Sequence, residues 1–171
     1  EVWENAGIRN LHWQEVGFGD GFDTLPDPQN SRQGYAMAQG GYLMRWNLDT
    51  GEQRLVRPAP PEEGIELRFN WNAGIAQDPF DPATIYYGSQ FVHRSTDRGA
   101  TWTRVENSPP KGRTETPGCL QLDPTGKTPR LLMPLVYGSP IAVGTTGGGP
   151  WRVLDKASAH VDWCAADWGD P

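Results

Sequence analysis

Ser95-Thr96-Asp97-Arg98-Gly99-Ala100-Thr101-Trp102 reads Ser-x-Asp-x-Gly-x-Thr-Trp, and that spacing dictates a corner between two strands. A polar strand end runs into a turn, where the Asp97 carboxylate accepts hydrogen bonds from backbone N–H groups. Gly99 supplies a φ > 0 position that a side chain would oppose. Trp102 opens the next strand and is expected to bury its ring against a neighbouring sheet. Ser95, Asp97, Gly99, Thr101 and Trp102 therefore form a structural set, with no chemistry of their own.

The surrounding composition suits many such corners. The chain has 171 residues, enough for the core of one domain, and carries 8 Trp, 21 Gly and 16 Pro. That mixture points to short elements joined by turns, and no window sustains a 3.6-residue apolar period. A net charge of −6, with 15 Lys and Arg scattered along the chain, argues against a nucleic-acid partner. No apolar run approaches the ~18 residues of a membrane span. The sequence opens on Glu1 and closes on Asp170-Pro171, so it is expected to be a piece of a longer protein. Lack of a signal peptide then says nothing about compartment. Cys119 and Cys164 cannot build a cysteine-only metal site. The expectation is two reduced, buried strand residues, with a disulfide between them as the alternative.

The corner repeats. Asp97 and Gly99 match Asp49 and Gly51 in Asn47-Leu48-Asp49-Thr50-Gly51, 48 residues earlier, and Trp102 falls on Trp151, 49 residues later, in the degenerate copy Gly144-Thr145-Thr146-Gly147-Gly148-Gly149-Pro150-Trp151. Each copy follows an Asp-Pro marker at Asp27-Pro28, Asp81-Pro82 and Asp123-Pro124, and a fourth marker ends the chain. Strand patterns recur between marker and corner: 34–39 and 42–47 around Gly40-Gly41, then 85–89, 91–95 and 101–106, then 131–137, 141–145 and 151–155. Short runs rich in small and apolar residues precede the markers, at 73–77, 118–122 and 163–166, and suit inner strands crowded about an axis. Four strands per period of about 45–50 residues describe a propeller blade. The expected fold is all-β: part of a multi-bladed β-propeller, with three four-stranded antiparallel blades over about 12–57, 70–106 and 116–155, and the first strand of another within 160–171. Pro58-Ala59-Pro60-Pro61 and Pro109-Pro110 are stiff inter-blade connections.

The eight-residue corner is the pattern called an Asp-box, or bacterial neuraminidase repeat. With Gly19-Asp20-Gly21-Phe22, Arg68-Phe69-Asn70-Trp71-Asn72 and Asp81-Pro82-Ala83-Thr84-Ile85-Tyr86-Tyr87-Gly88, the chain resembles the sortilin-like, Asp-box-containing propellers of bacterial secreted proteins. These are often labelled glycosyl hydrolase or photosystem II assembly factor-like. The likeness is fullest from Trp3 to about Glu106. From Gly118 onward it rests on the marker, the worn box and His160-Val161-Asp162-Trp163. It implies a secreted, periplasmic or cell-surface propeller that binds peptide or carbohydrate in or near its central tunnel, alongside the remaining blades of the parent ring.

Propeller topology puts the Asp-box at the third-to-fourth strand turn of a blade, on one rim. The chain reaches each inner strand from the opposite rim, beside the channel mouth. Asn70, Trp71 and Asn72 fall there, and His160, Asp162 and Trp163 occupy the comparable place one to two blades later. Trp stacks on a sugar face or peptide side chain while flanking amides hydrogen-bond; the same residues also suit inter-blade packing. Asp20 and Asp23 are paired acids in a glycine-rich loop. They are candidates for glycoside hydrolysis, which needs two carboxylates about 5–10 Å apart, for a Ca²⁺ or ligand contact, or for simple turn capping.

Other chemistries lack their residues. His12, His93 and His160 are too dispersed for a metal set, and His93, alternating within a strand, reads as surface or inter-blade. No Gly-x-Ser-x-Gly is present, and Gly144 to Gly149 lacks the Lys-Ser/Thr of a phosphate loop. Of Arg68, Arg94, Arg98 and Arg104, the last two flank the box, away from the channel rim, which counts against a sialidase. No metal or cofactor is expected. The sequence favours a non-catalytic binding module, with a glycoside hydrolase as the alternative.

Overall fold

The computed structural model describes residues 9–108, 116–125, 130–134 and 141–154. Within them lie twelve strands in three four-stranded antiparallel sheets, each ordered as the chain runs. The first holds β1 (Gly21–Asp27), β2 (Asn30–Ala38), β3 (Tyr42–Asn47) and β4 (Glu52–Leu55). The second holds β5 (Ile75–Gln77), β6 (Ile85–Gly88), β7 (Val92–Ser95) and β8 (Thr103–Arg104). The third holds β9 (Gln121–Leu122), β10 (Arg130–Pro134), β11 (Ile141–Thr145) and β12 (Arg152–Leu154). The expected further strand within 160–171 lies outside the described residues.

Alternation stacks the sheets. Successive side chains of a strand point to opposite faces, and β6 reads Ile85-Tyr86-Tyr87-Gly88 with all four residues buried. Ile85 and Tyr87 join Ile75, Tyr35, Met37 and Leu43 in one core between the first and second sheets. Tyr86 joins Ala76, Val92, Leu131, Met133 and Ala142 in another between the second and third. The inner segments converge: a Cβ placed on Gly74 would lie 2.5 Å from the Cys119 carbonyl carbon, and the Gly74 N–H donates to the Pro117 carbonyl at 3.0 Å. Only glycine fits that approach.

Four expectations need correction. Gly19 to Asp23 was expected as a loop, yet β1 begins at Gly21 and carries Asp23 within it. The bulge between Gly21 and Thr24 explains why alternation is hidden there. In the second sheet the marker is Asp78-Pro79, not Asp81-Pro82. Asp27, Asp78 and Asp123 are all buried at the first-to-second strand turn, and their Oδ1 atoms accept the N–H two residues on, from Gln29, Phe80 and Thr125, at 2.8–2.9 Å. Third, of the two places offered for His93, surface and inter-blade, the first fails: it is 2% exposed, edge-on to Trp102, whose ring packs between the first two blades. Fourth, Cys119, expected to be reduced, is disulfide-bonded; Cys164 lies outside the described residues. Pairing depends on distant parts of the chain meeting, which local sequence does not encode.

Candidate functional site

The two rims of the stack are chemically different. On one, the third-to-fourth strand turns are capped by the last residue of the third strand. Asn47 Oδ1 accepts the Asp49 N–H at 2.9 Å, Ser95 Oγ the Gly99 N–H at 2.8 Å, and Thr145 Oγ1 the Gly149 N–H at 3.0 Å. This polar cap, spaced 47, 95, 145, is what the three corners share. The complete box adds Asp97, which accepts the Thr101 N–H and hydroxyl at 2.8 and 2.6 Å and the Ser95 hydroxyl at 2.8 Å. Those bonds, the Thr101 hydroxyl first, hold its pKa down at about 2. Gly99 has φ 82°. Trp102 donates its indole N–H to the Val56 carbonyl at 2.8 Å and packs on the core between the first two sheets, stapling them together. These groups bond one another within the corner and to the first sheet.

The opposite rim presents the ligand candidates. Asn70, Trp71 and Asn72 lie just before β5. Behind them Gln90, in the β6–β7 turn, holds the chain on both edges: its Oε1 accepts the Arg68 N–H at 2.8 Å and its Nε2 donates to the Glu66 carbonyl at 2.7 Å. From the first sheet, the Gly40 N–H in the β2–β3 turn donates to the Trp71 carbonyl at 3.2 Å. The Asn70 amide donates to the Asn72 carbonyl at 3.1 Å. With the backbone pinned from two sheets, the Trp71 side chain is left 61% exposed. Asp20 is on the same rim, because its N–H donates to Gln39 Oε1 at 2.8 Å in that same β2–β3 turn. Asp23 is half-buried on β1, and burial raises its pKa. His160, Asp162 and Trp163 lie outside the described residues.

The sequence marks the Gly40-Gly41 turn, but it does not single out Gln39 and Gln90 as holding the rim. That role of the turns between strands two and three of successive blades emerges only once the strands are paired. Among the described residues no group of three His, Cys, Asp or Glu could hold a metal ion, and no helix is long and apolar enough to cross a membrane.

Three sheets whose strands follow in chain order, sharing cores face to face, with the inner segments of the second and third in close approach, decide the architecture. It is a β-propeller segment. The chain is similar to the GH74 enzyme NkGH74 of Niastella koreensis, at 20% identity and a TM-score of 0.53 over 81% of this chain and 18% of that one. It is similar to YCF48 from Cyanidioschyzon merolae, at 22% identity and 0.51 over 85% and 44%. The extracellular domain of a protein assigned as a one-component system in B. thetaiotaomicron matches at 15% and 0.55, over 78% and 16%. The likeness is one of fold, and this chain spans less than half the length of each of the three. No protein-family model matches the chain, and neither does any curated protein.

Proposed function

We propose that these blades belong to a non-catalytic binding module that takes a peptide or glycan at the rim carrying Asn70, Trp71 and Asn72. One observation carries the reading: Trp71 is a large aromatic held out into solvent while its own backbone is fixed by the neighbouring sheet. Such a ring offers contact area at little conformational cost, and aromatic anchors dominate binding energy. Asn70, whose amide N–H braces the Asn72 carbonyl, adds a polar side chain beside it. His160, Asp162 and Trp163 would extend the site along the rim, with the remaining blades of the parent propeller completing it.

The module works outside the cytoplasm, secreted, periplasmic or at the cell surface. The Cys119 disulfide supports this, since disulfides persist in oxidising compartments. Calorimetric titration of full-length protein with neutral glucan oligosaccharides and unstructured peptides tests the site. Trp71→Ala is expected to weaken binding about tenfold while the thermal midpoint stays in place; unchanged affinity overturns the reading.

One observation favours glycoside hydrolysis as a second reading: Asp23 has the raised pKa, from burial, of a general acid. Asp20 would then be its partner carboxylate. Hydrolysis of aryl glycosides, lost in both Asp20→Asn and Asp23→Asn, would establish this reading in place of the first.

A further inference from the structure

Between the outer strands of the first two blades, on the side of the Asp-box corner, lies a cleft of about 390 Å³. Arg54, Arg57 and Arg104 line it, together with Trp102, Pro60 and Pro61. In a chain with 21 acidic and 15 basic residues, three guanidiniums at one cleft run against the overall charge. No Asp or Glu is among its described lining residues.

Two of the three are fixed by aromatic rings and, among the described residues, not by carboxylates. The Arg57 guanidinium lies 4.7 Å over the Phe69 ring, and that of Arg104 lies 4.4 Å over Phe91. Arg104 also spends its Nε–H on the Ser108 carbonyl at 3.0 Å. Ring stacking orients a guanidinium without consuming its terminal N–H groups. By contrast Arg32, Arg45, Arg98 and Arg130 are each paired with an acid. The cleft thus holds guanidiniums that, among the described residues, no carboxylate pairs, with terminal N–H groups of the two stacked forks left for a ligand. That is the chemistry that reads carboxylate or sulfate groups bidentately.

The walls narrow the class further. Pro60 and Pro61 have no N–H and offer an added peptide strand no donors on that side. Trp102 has already committed its indole N–H to Val56, so toward the cleft it presents apolar ring. Apolar walls beside guanidinium forks suit a sugar ring bearing an acid group. We propose that this peripheral cleft is a second binding site, specific for an acidic, uronate-type oligosaccharide.

The probe is oligogalacturonate, titrated calorimetrically into full-length protein and compared with its neutral methyl ester and with poly-glutamate. Oligogalacturonate is expected to bind, more weakly as salt rises, and the ester not to bind. Arg57→Gln and Arg104→Gln should each lower affinity about tenfold, the effect of one lost charge-assisted contact. Arg54→Gln, on an exposed strand and without a ring contact, should lower affinity with no change in thermal midpoint, which separates binding from folding. Arg32→Gln and Trp71→Ala should leave oligogalacturonate binding intact, so this site and the channel rim succeed or fail separately. Equal binding of the methyl ester, unchanged affinity in all three cleft variants, or preference for poly-glutamate overturns the proposal.

Discussion

Ser95 is the pivotal side chain of the corner between β7 and β8, more so than Asp97. Ser95 is buried and its Oγ accepts the buried Gly99 N–H, so Ser95→Ala strands that donor without water. Urea denaturation should show a loss of about 1–3 kcal/mol, the penalty for an unpaired buried group. Asp97, by contrast, is exposed and acts through its charge. Its folded pKa of about 2 lies below the ordinary 3.8. Its stabilising contribution is therefore fully present above pH 3.8 and is lost as pH falls from 3.8 toward 2. Asp97→Asn should flatten the acid limb of a plot of thermal midpoint against pH in that window. These roles were half legible in the sequence. The spacing announces the corner, but which of its side chains is buried depends on the strand packed behind it, and the same is true of His93 edge-on to Trp102.

Between strand pairs the decisive contact crosses from one blade to the next. Arg98, held at φ 59° inside the box turn, reaches Asp27 at the end of β1, and its carbonyl accepts from Arg45 at 3.3 Å. Burial pushes the Asp27 pKa up, but the Arg98 bond, the Gln29 and Asn30 N–H groups and the guanidinium charge together bring it below the ordinary carboxylate range. Breaking a fully buried pair costs about 3–5 kcal/mol; Arg98 is 35% exposed, so Arg98→Ala should cost about 2–3 kcal/mol in urea. The variant should also unfold at higher pH on acidification, because Asp27, still buried, would protonate sooner. Nothing in the sequence ties residue 27 to residue 98. The central strands, by contrast, read plainly because both faces are apolar, as in Ile85-Tyr86-Tyr87. The short edge strand β8 shrinks from the expected 101–106 to two residues, since an exposed edge carries no packing signal, and β1 hides behind its bulge.

The second and third sheets come closest at their inner strands. Repeat spacing in the sequence implies that successive sheets converge, but it does not reveal how closely. The gap at Gly74 is set by the Cys119 backbone and by the Pro117 carbonyl that its N–H meets. A methyl group at position 74 would have to push main chain aside, since the atoms it meets are backbone and not the tip of a mobile side chain. Overpacking of this kind costs about 1–3 kcal/mol, and more where nothing yields. Gly74→Ala should therefore lower the urea midpoint by the upper part of that range and loosen the seam between the second and third blades. Faster amide exchange at Gly74, whose N–H crosses the seam to the Pro117 carbonyl, and at Gly88, whose N–H donates to the Gly74 carbonyl within the second blade, would report that loosening. Gly147→Ala, where an added Cβ meets nothing within 4 Å, is the matched control and should leave both measurements unchanged. If the two substitutions behave alike, the inner strands are not the point of convergence, and the radial packing inferred from the shared cores loses its main support.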